Sequence, residues 1–191
     1  MTAAGGAHRT GAGALVLIVG PSGAGKDTLI GMMRARAAGQ PIVLARRVVT
    51  RAASQHEDHD SMTEADFARA EQDSSFALSW QAHGLRYGVP AAIDDEMACG
   101  RVVVCNASRA VIEAARSRYA RCRVVLVTAP EDVLLARVTS RLRPSDGSAT
   151  RRVARPAPSR EAIRPDLVIE NVGDPADAAA LLFDFVMRQI G

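Results

Sequence analysis

Short apolar runs recur along the chain, and most are separated by segments with the composition of helices. The strands predicted from this pattern cover residues 15–19, 42–49, 102–105, 124–128 and 167–170; the second includes Arg46 and Arg47, and the last ends at Glu170. Continuous apolar runs of this length are typical of strands that are buried on both faces of a parallel sheet. Helices are expected at 26–38, 91–98, 110–119, 130–141 and 175–189, and another begins after the N-cap residue Thr63. Strands that alternate with helices predict an α/β fold with a mostly parallel central sheet.

Two segments lie outside this alternation. Residues 1–13 are mostly Gly, Ala and Thr, and we expect them to form a flexible tail in front of a single domain that spans 14–191. Residues 144–160 are rich in Pro, Ser and Arg, and we expect this stretch to be mobile.

The composition supports a folded domain. Of the 191 residues, 48% are hydrophobic and 24% are charged, which excludes a wholly disordered or collagen-like chain. No apolar run approaches the roughly 18 residues that a membrane-spanning helix needs, and residues 1–13 lack the apolar region of a signal peptide. We therefore expect a soluble, cytoplasmic protein. Its three cysteines lack metal-ligand spacing and are expected to be small buried residues in a reducing compartment: Cys99, Cys105 and Cys122.

One lysine stands out in a chain that otherwise uses arginine. The net charge is +3, and Lys26 is the single lysine among 24 Lys and Arg residues. It ends a G-x-x-x-x-G-K motif that lies between a predicted buried strand and a predicted helix, which is the context of a phosphate-binding loop. Backbone N–H groups, the helix N-terminus and the ammonium would bind the phosphates of ATP. The expected nucleotide-binding residues are Gly20, Pro21, Ser22, Gly23, Ala24, Gly25, Lys26, Asp27 and Thr28.

Asp27 departs from the motif, which has Ser or Thr at this position. The nearest hydroxyl belongs to Thr28, one residue later. Beside a nucleotide, a carboxylate could bind Mg²⁺ directly or through water, because this ion prefers oxygen ligands. Alternatively, an acid at the start of a helix is favourable to the helix dipole. Both interpretations remain open.

A second anion site is expected where polar residues follow the strand at 42–49. Arg51 opens a polar loop at 51–62, and two short strands at 76–80 and 85–87 follow it. Arg86 and Tyr87 lie in the second of these. Arginine can hold an anion with two hydrogen bonds, and a tyrosine hydroxyl can donate a third. The alternative for each is a surface arginine or a half-buried tyrosine.

The order of these features resembles the guanylate kinase family of P-loop phosphotransferases. The resemblance implies a nucleoside-monophosphate-kinase-like, three-layer α/β/α fold with a small acceptor-binding insertion, here residues 51–90, and an Arg-rich lid at 141–160. In that family an Arg, an acidic loop residue and the Tyr of a Tyr-Gly pair bind the acceptor. The matching positions here are Arg51, Glu57 or Asp58, and Tyr87.

Two departures disfavour guanine as part of the acceptor. Guanylate kinases carry a second Arg shortly after the first, whereas residues 52–55 contain none. They also place a small hydroxyl residue after the Tyr-Gly pair to bind guanine, where this chain has Val89 and Pro90. A base edge without hydrogen-bond partners loses affinity.

With these departures the chain resembles the ribose 1,5-bisphosphate phosphokinases of phosphonate breakdown. The resemblance covers most of the chain and is carried by residues 20–28, 50–51, 57–59, 76–80, 82–90 and 106–109. It implies transfer of the γ-phosphoryl group of ATP to the 1-phosphate of ribose 1,5-bisphosphate, which gives 5-phosphoribosyl 1-diphosphate. An ionised phosphate acceptor needs no catalytic base, so catalysis would rest on positioning and charge stabilisation.

The resemblance also implies further site residues. Arg86, Asn106 and Arg109 would join Arg51 in binding the sugar bisphosphate, near the strand ends. In the lid, arginines would neutralise the charge on the transferring phosphoryl group; the matching residues are Arg141, Arg143 and Arg152, with Arg155 as the alternative to the last. The competing interpretation of this segment is a solvated basic face.

ATP and Mg²⁺ are therefore the expected nucleotide and metal, and a small sugar bisphosphate is the expected acceptor. We expect a monomer or homodimer that binds neither membranes nor nucleic acid, because no aromatic residues interleave the basic ones in the lid. One alternative is a guanylate-type nucleoside monophosphate kinase. Another is a binding module that has lost catalysis, although such modules characteristically lose the phosphate-loop lysine that this chain keeps.

Overall fold

The computed structural model describes residues 12–51, 59–140 and 163–191. Within them, nine strands form two sheets: β1 Ala14–Val19, β2 Ile42–Ala45, β3 Arg47–Val49, β4 His59–Ser61, β5 Phe76–Ala82, β6 Leu85–Pro90, β7 Val102–Asn106, β8 Cys122–Thr128 and β9 Leu167–Glu170. Six α-helices accompany them: α1 Lys26–Ala37, α2 Glu64–Gln72, α3 Ile93–Ala98, α4 Ile112–Arg118, α5 Glu131–Ser140 and α6 Pro175–Met187. A 3₁₀ turn at Arg109–Val111 precedes α4.

The central sheet has five parallel strands in the order β2–β7–β1–β8–β9. All six residues of β1 are buried, because this strand lies between β7 and β8 and is covered on both faces. Its side chains alternate between two cores, with Leu15 and Leu17 in one and Val16 and Ile18 in the other. The strand order reverses on either side of β1, and ligands of open α/β sheets bind at such a switch point, beyond the carboxyl ends of the strands.

Helices cover both faces of this sheet. Helices α1, α5 and α6 contribute Leu29, Leu134 and Leu182 to the core on one face. On the other face, α3 and α4 contribute Ile93 and Ile112. The expected three-layer α/β/α fold with a mostly parallel sheet is thus confirmed.

The second sheet has four strands in the order β4–β3–β6–β5. Its strands β3 and β4 are parallel, whereas β6 is antiparallel to both β3 and β5. Helix α2 begins after Thr63, whose hydroxyl accepts a hydrogen bond from the backbone N–H of Asp66 as the sequence predicted. Phe67 of α2 stacks on Phe76 of β5 with the ring centroids 4.5 Å apart. This sheet shares a core with the central one, because Leu78 and Val89 pack into the cluster that contains Leu17.

The structure corrects three of the predicted boundaries. The predicted strand at 42–49 is two strands, since the chain leaves the central sheet at Arg46 and enters the second sheet at Arg47. The predicted loop at 51–62 contains β4, whose residues pair with β3. The helix expected at 91–98 begins two residues later, because the chain pairs with β5 as far as Pro90 and the N–H of Ala91 donates to the Ser75 carbonyl.

The expected tail and lid lie largely outside the described residues. Of the tail at 1–13, only residues 12 and 13 are described, and the N–H of Gly13 donates to the carbonyl of Met97. Residues 141–162, which contain the expected lid, are not described. Among the helices of the described ranges, none combines the length and the apolar character needed to cross a bilayer.

Candidate active site

The phosphate loop joins β1 to α1 and contains three glycines with positive φ angles. The values are +149° at Gly20, +83° at Gly23 and +90° at Gly25. Residues with a side chain rarely adopt such angles. Space is restricted as well: a Cβ atom at Gly20 would collide with the carbonyl oxygen of Val127 in β8, and one at Gly25 would collide with the amide of Asn171. The glycines therefore let the loop pass close against the neighbouring strand and the segment after β9.

Lys26 is the first residue of α1 and folds back onto its own loop. Its Nζ donates hydrogen bonds of 2.9 Å to the carbonyl oxygens of Gly20 and Pro21. These contacts hold the ammonium beside the loop and the start of the helix, the two elements whose N–H groups and dipole favour phosphate. The arrangement fits the predicted nucleotide-binding role.

Asn171, in the segment between β9 and α6, holds the phosphate loop through a side-chain hydrogen bond. Its Nδ2 donates a 2.9 Å hydrogen bond to the carbonyl of Ala24, and its residue surface is only 3% exposed. The backbone carbonyl of Asn171 accepts a 2.9 Å hydrogen bond from Nη1 of Arg137 in α5. The sequence analysis did not predict that Asn171 contacts the phosphate loop, because this contact joins residues far apart in the chain.

Asp27 lies where the two sheets meet. Its Oδ1 accepts a 2.6 Å hydrogen bond from Nδ2 of Asn106, at the end of β7, and a 3.3 Å ion-pair contact from Nη2 of Arg47, at the start of β3. These residues converge because β1, β2 and β7 are parallel neighbours whose carboxyl ends share one edge of the sheet. Asp27 also occupies the first turn of α1, so its charge favours the helix dipole in either interpretation.

The residues around Asp27 fit a magnesium ion. Half of the Asp27 side chain is exposed, and Oδ1 of Asn106 is buried without a hydrogen-bond partner among the described residues. Mg²⁺ is usually held by one or two carboxylates together with substrate phosphates and water, and not by a full set of protein ligands. The described parts of the chain contain no group of three or more His, Cys, Asp or Glu side chains that could hold a metal.

Tyr87 belongs to a stacked aromatic pair near Arg47, the residue that contacts Asp27. It lies in β6 opposite Val49 of β3, and its ring stacks on Trp80 of β5 with centroids 5.4 Å apart and planes within 3°. The guanidinium of Arg47 lies 6.0 Å from the centroid of the Tyr87 ring. The structure thus places Arg47, which the sequence analysis missed, in contact with Asp27 and 6.0 Å from the centroid of the Tyr87 ring, two predicted site residues.

The side chain of Arg86 does not lie on the same face of β6 as that of Tyr87. Successive side chains of a strand point to opposite faces of its sheet. The Arg86 guanidinium accordingly pairs with Glu71 of α2 and lies 4.9 Å from the centroid of the Phe67 ring. Its backbone N–H donates to the hydroxyl of Thr50. These contacts connect helix α2 to the second sheet, and they direct Arg86 away from the face that carries Tyr87.

The other expected arginines lie at strand ends. Arg51 is half-buried two residues after the end of β3, and Arg109 is half-buried three residues after Asn106, the last residue of β7. Five expected site residues lie outside the described ranges: Glu57, Asp58, Arg141, Arg143 and Arg152.

The three cysteines form no disulfide. Burial raises the pKa of Cys105 to about 12 and that of Cys122 to about 11, so both thiols stay protonated at neutral pH. Cys99 is exposed, and the expectation that all three are buried is wrong for this residue. It follows helix α3 directly, where the chain turns back towards β7.

Comparison with solved structures agrees with this architecture. The chain is similar to the guanylate kinase from Anaplasma phagocytophilum, with a TM-score of 0.67 and 19% sequence identity over 93% of this chain and 86% of that one. At this identity the likeness concerns the fold. No family model matches the sequence.

Comparison with curated proteins gives closer relatives. The chain is 54% identical over 177 residues to the ribose 1,5-bisphosphate phosphokinase of Rhodopseudomonas palustris. The aligned residues make up 92% of this chain and 89% of that protein. It is 47% identical over 171 residues to the protein of the same name in Methylobacterium radiotolerans, covering 89% and 95% respectively. With this identity over nearly the full length of both proteins, the chain belongs to the ribose 1,5-bisphosphate phosphokinase family.

Proposed function

We propose that this protein transfers the γ-phosphoryl group of ATP to the 1-phosphate of ribose 1,5-bisphosphate, giving 5-phospho-α-D-ribose 1-diphosphate and ADP. The observation that carries the proposal, beside family membership, is the contact of both sheets with Asp27. This carboxylate lies one residue after Lys26 and meets Asn106 of the central sheet and Arg47 of the second sheet. The phosphate loop, which would bind the donor ATP, therefore adjoins the second sheet, which would bind the acceptor.

The donor side is built for the phosphates of ATP. The glycine-rich loop and the first turn of α1 supply N–H groups, and Lys26 supplies a full positive charge. Asn171 and the glycines fix the loop before a ligand arrives, so binding does not have to order it. In the lid, Arg141, Arg143 and Arg152 would add positive charge around the transferring group.

The acceptor side needs charge and shape but no base. An oxygen of the 1-phosphate forms a bond to the γ-phosphorus, while the bond from that phosphorus to the β–γ bridging oxygen breaks and its electron pair leaves with ADP. No proton has to be removed, because the attacking phosphate is already ionised. Arg51, Arg109 and Tyr87, with Glu57 or Asp58, would hold the sugar bisphosphate in line.

Asp27 and the Oδ1 atom of Asn106 would hold Mg²⁺ on the donor side. When bound, the ion supplies charge neutralisation on the β- and γ-phosphates. Asn106 also orients Asp27 through its Nδ2 atom, whether or not the metal is present.

The alternative acceptor, GMP, is disfavoured by the position after the Tyr87-Gly88 pair. Val89 is fully buried in the core shared by the two sheets and presents no polar atom to a base. A site that leaves the edge of a base without partners loses much of its affinity for it.

A direct assay separates the candidate functions. With ATP and Mg²⁺, we expect a kcat/KM for ribose 1,5-bisphosphate at least about 100-fold above that for GMP. Formation of ADP and of the sugar diphosphate would be measured together, so that simple ATP hydrolysis is not counted. Preference for GMP would identify a guanylate-type kinase. If neither acceptor were turned over but one raised the melting temperature, the binding-module alternative would stand.

Arg51 provides a test of the acceptor site. We expect Arg51→Met to raise KM for ribose 1,5-bisphosphate by about 10- to 100-fold, because one charge-assisted contact with a phosphate is lost. The KM for ATP, measured in the same preparation, should change less than about threefold. Equal losses for both substrates would place Arg51 outside the acceptor site.

A further inference from the structure

Arg47 occupies a position that the chain path makes unusual. Strand β2 of the central sheet ends at Ala45, and two residues later Arg47 begins strand β3 of the second sheet. Arg47 therefore belongs to the second sheet, but it lies at the carboxyl edge of the central sheet, next to helix α1. Its neighbour Arg46 points elsewhere, pairing with Asp60 and donating to the carbonyl of His59 in β4.

The surroundings of Arg47 hold its guanidinium in place. Its side chain is only 14% exposed, whereas that of its ion-pair partner Asp27 is 47% exposed. On another side lies the ring of Tyr87, which is itself held by stacking on Trp80. A mostly buried guanidinium needs compensating negative charge nearby. Asp27 provides part of it, through a contact of 3.3 Å that is longer than the 2.7–2.9 Å typical of a tight charged hydrogen bond.

Asp27 does not depend on Arg47 for its orientation. The same Oδ1 atom accepts a 2.6 Å hydrogen bond from Asn106, which is the shorter of its two contacts. Arg47 is thus placed by Asp27 and Tyr87 between the donor and acceptor sides, and its planar fork of five N–H donors suits a phosphate.

We propose that Arg47 binds the reacting 1-phosphate of the acceptor, held in position by Asp27 and Tyr87, and that it selects a phosphate over a neutral group at this point. The inference rests on the proposed function and names a specificity-determining residue for it. Arg47 contacts Asp27, the residue after Lys26, whereas Arg51 lies four residues further along the acceptor segment. Arg47 is therefore assigned to the 1-phosphate.

The chemistry requires a cation at this place. The acceptor and the γ-phosphoryl group are both anions, and they repel each other as they approach. A guanidinium between them offsets this repulsion while the new bond forms, and it needs no reorganisation because the protein has already placed it. Loss of Arg47 should therefore lower kcat as well as acceptor affinity, whereas loss of a 5-phosphate contact should act mainly on KM.

The test compares Arg47→Met with Arg46→Met. The control removes the same group from the neighbouring residue, whose side chain is 50% exposed and faces Asp60. For Arg47→Met we expect kcat to fall at least tenfold, acceptor KM to rise at least tenfold and the KM for ATP to change less than threefold. Arg46→Met should stay within threefold of wild type on all three. Calorimetry with ribose 1,5-bisphosphate in the absence of ATP should show the same loss of affinity for Arg47→Met alone.

Arg47→Lys guards against a folding defect, since it keeps the charge and loses only the planar fork. We expect it to melt close to the wild type and to recover part of the lost kcat. The inference is overturned if the Arg47 variants behave like Arg46→Met, or if the KM for ATP and the KM for the acceptor rise together. The wild-type assay tests the proposed function separately: if the wild type does not turn over ribose 1,5-bisphosphate, it is that function which fails.

Discussion

Replacing Lys26 with methionine is expected to lower kcat/KM for phosphoryl transfer at least about 1,000-fold, which corresponds to roughly 4 kcal/mol of lost transition-state stabilisation. Methionine keeps most of the unbranched stem but removes the ammonium next to the loop and the start of α1. The fold should survive, because the hydrogen bonds that Lys26 donates to Gly20 and Pro21 lie within the phosphate loop and join no separate elements. The measurement is steady-state kinetics with ATP and ribose 1,5-bisphosphate, with circular dichroism as the check on folding.

Lys26→Arg tests whether charge alone is sufficient. All the remaining Lys or Arg residues of the chain are arginines. Its single lysine therefore indicates that a compact ammonium is required at this position. We expect Lys26→Arg to lose at least about 100-fold in kcat/KM despite its unchanged net charge. Arg36→Met, on an exposed position of the same helix, should remain near wild type. Turnover near wild type in Lys26→Met would refute the assignment of the ATP site.

The phosphate loop could be predicted because its information is local. The glycines, the lysine and the helix start are contiguous, and the preceding strand is apolar at every position. The alternation of strands and helices likewise predicted the central sheet. Thr63 illustrates the same point, since an N-cap acts within a few residues and its hydrogen bond to the Asp66 N–H is present as predicted.

The acceptor side of the site, formed by the second sheet around Arg47 and Tyr87, could be predicted only in part. Its geometry depends on a break in a predicted strand. The sequence analysis predicts one strand at 42–49 and so misses the transfer of the chain from one sheet to the other at Arg46. Placing the break would have put Arg47 at the edge where parallel strands end, which is the signal that a sequence analysis could have used. Conversely, Arg86 and Tyr87 are adjacent in sequence but point to opposite faces, and the alternation rule for strands would have separated them.

Gly20→Ala is expected to be the most destabilising single methyl addition in the loop. The backbone at this position has a φ of +149°, and the added Cβ would meet the carbonyl oxygen of Val127, which belongs to the rigid central sheet and cannot move aside as a side chain would. Backbone strain and overpacking each cost about 1–3 kcal/mol. A loss of about 3 kcal/mol or more should lower Tm by roughly 6–12 °C for a chain of this size.

The matched control is Gly31→Ala, which adds the same methyl group elsewhere. Gly31 lies in α1, its φ is not positive, and apart from its chain neighbours and the backbone of its own helix no heavy atom lies within 4 Å of the added Cβ. Alanine is favoured over glycine inside a helix by about 1 kcal/mol, so this variant should raise Tm by roughly 2–4 °C. ATP affinity, measured by calorimetry below both melting temperatures, should fall for Gly20→Ala and stay unchanged for Gly31→Ala. If both variants melted at the same temperature, the close packing of the loop against β8 would be wrong, and with it the account of why the loop is fixed before ATP binds.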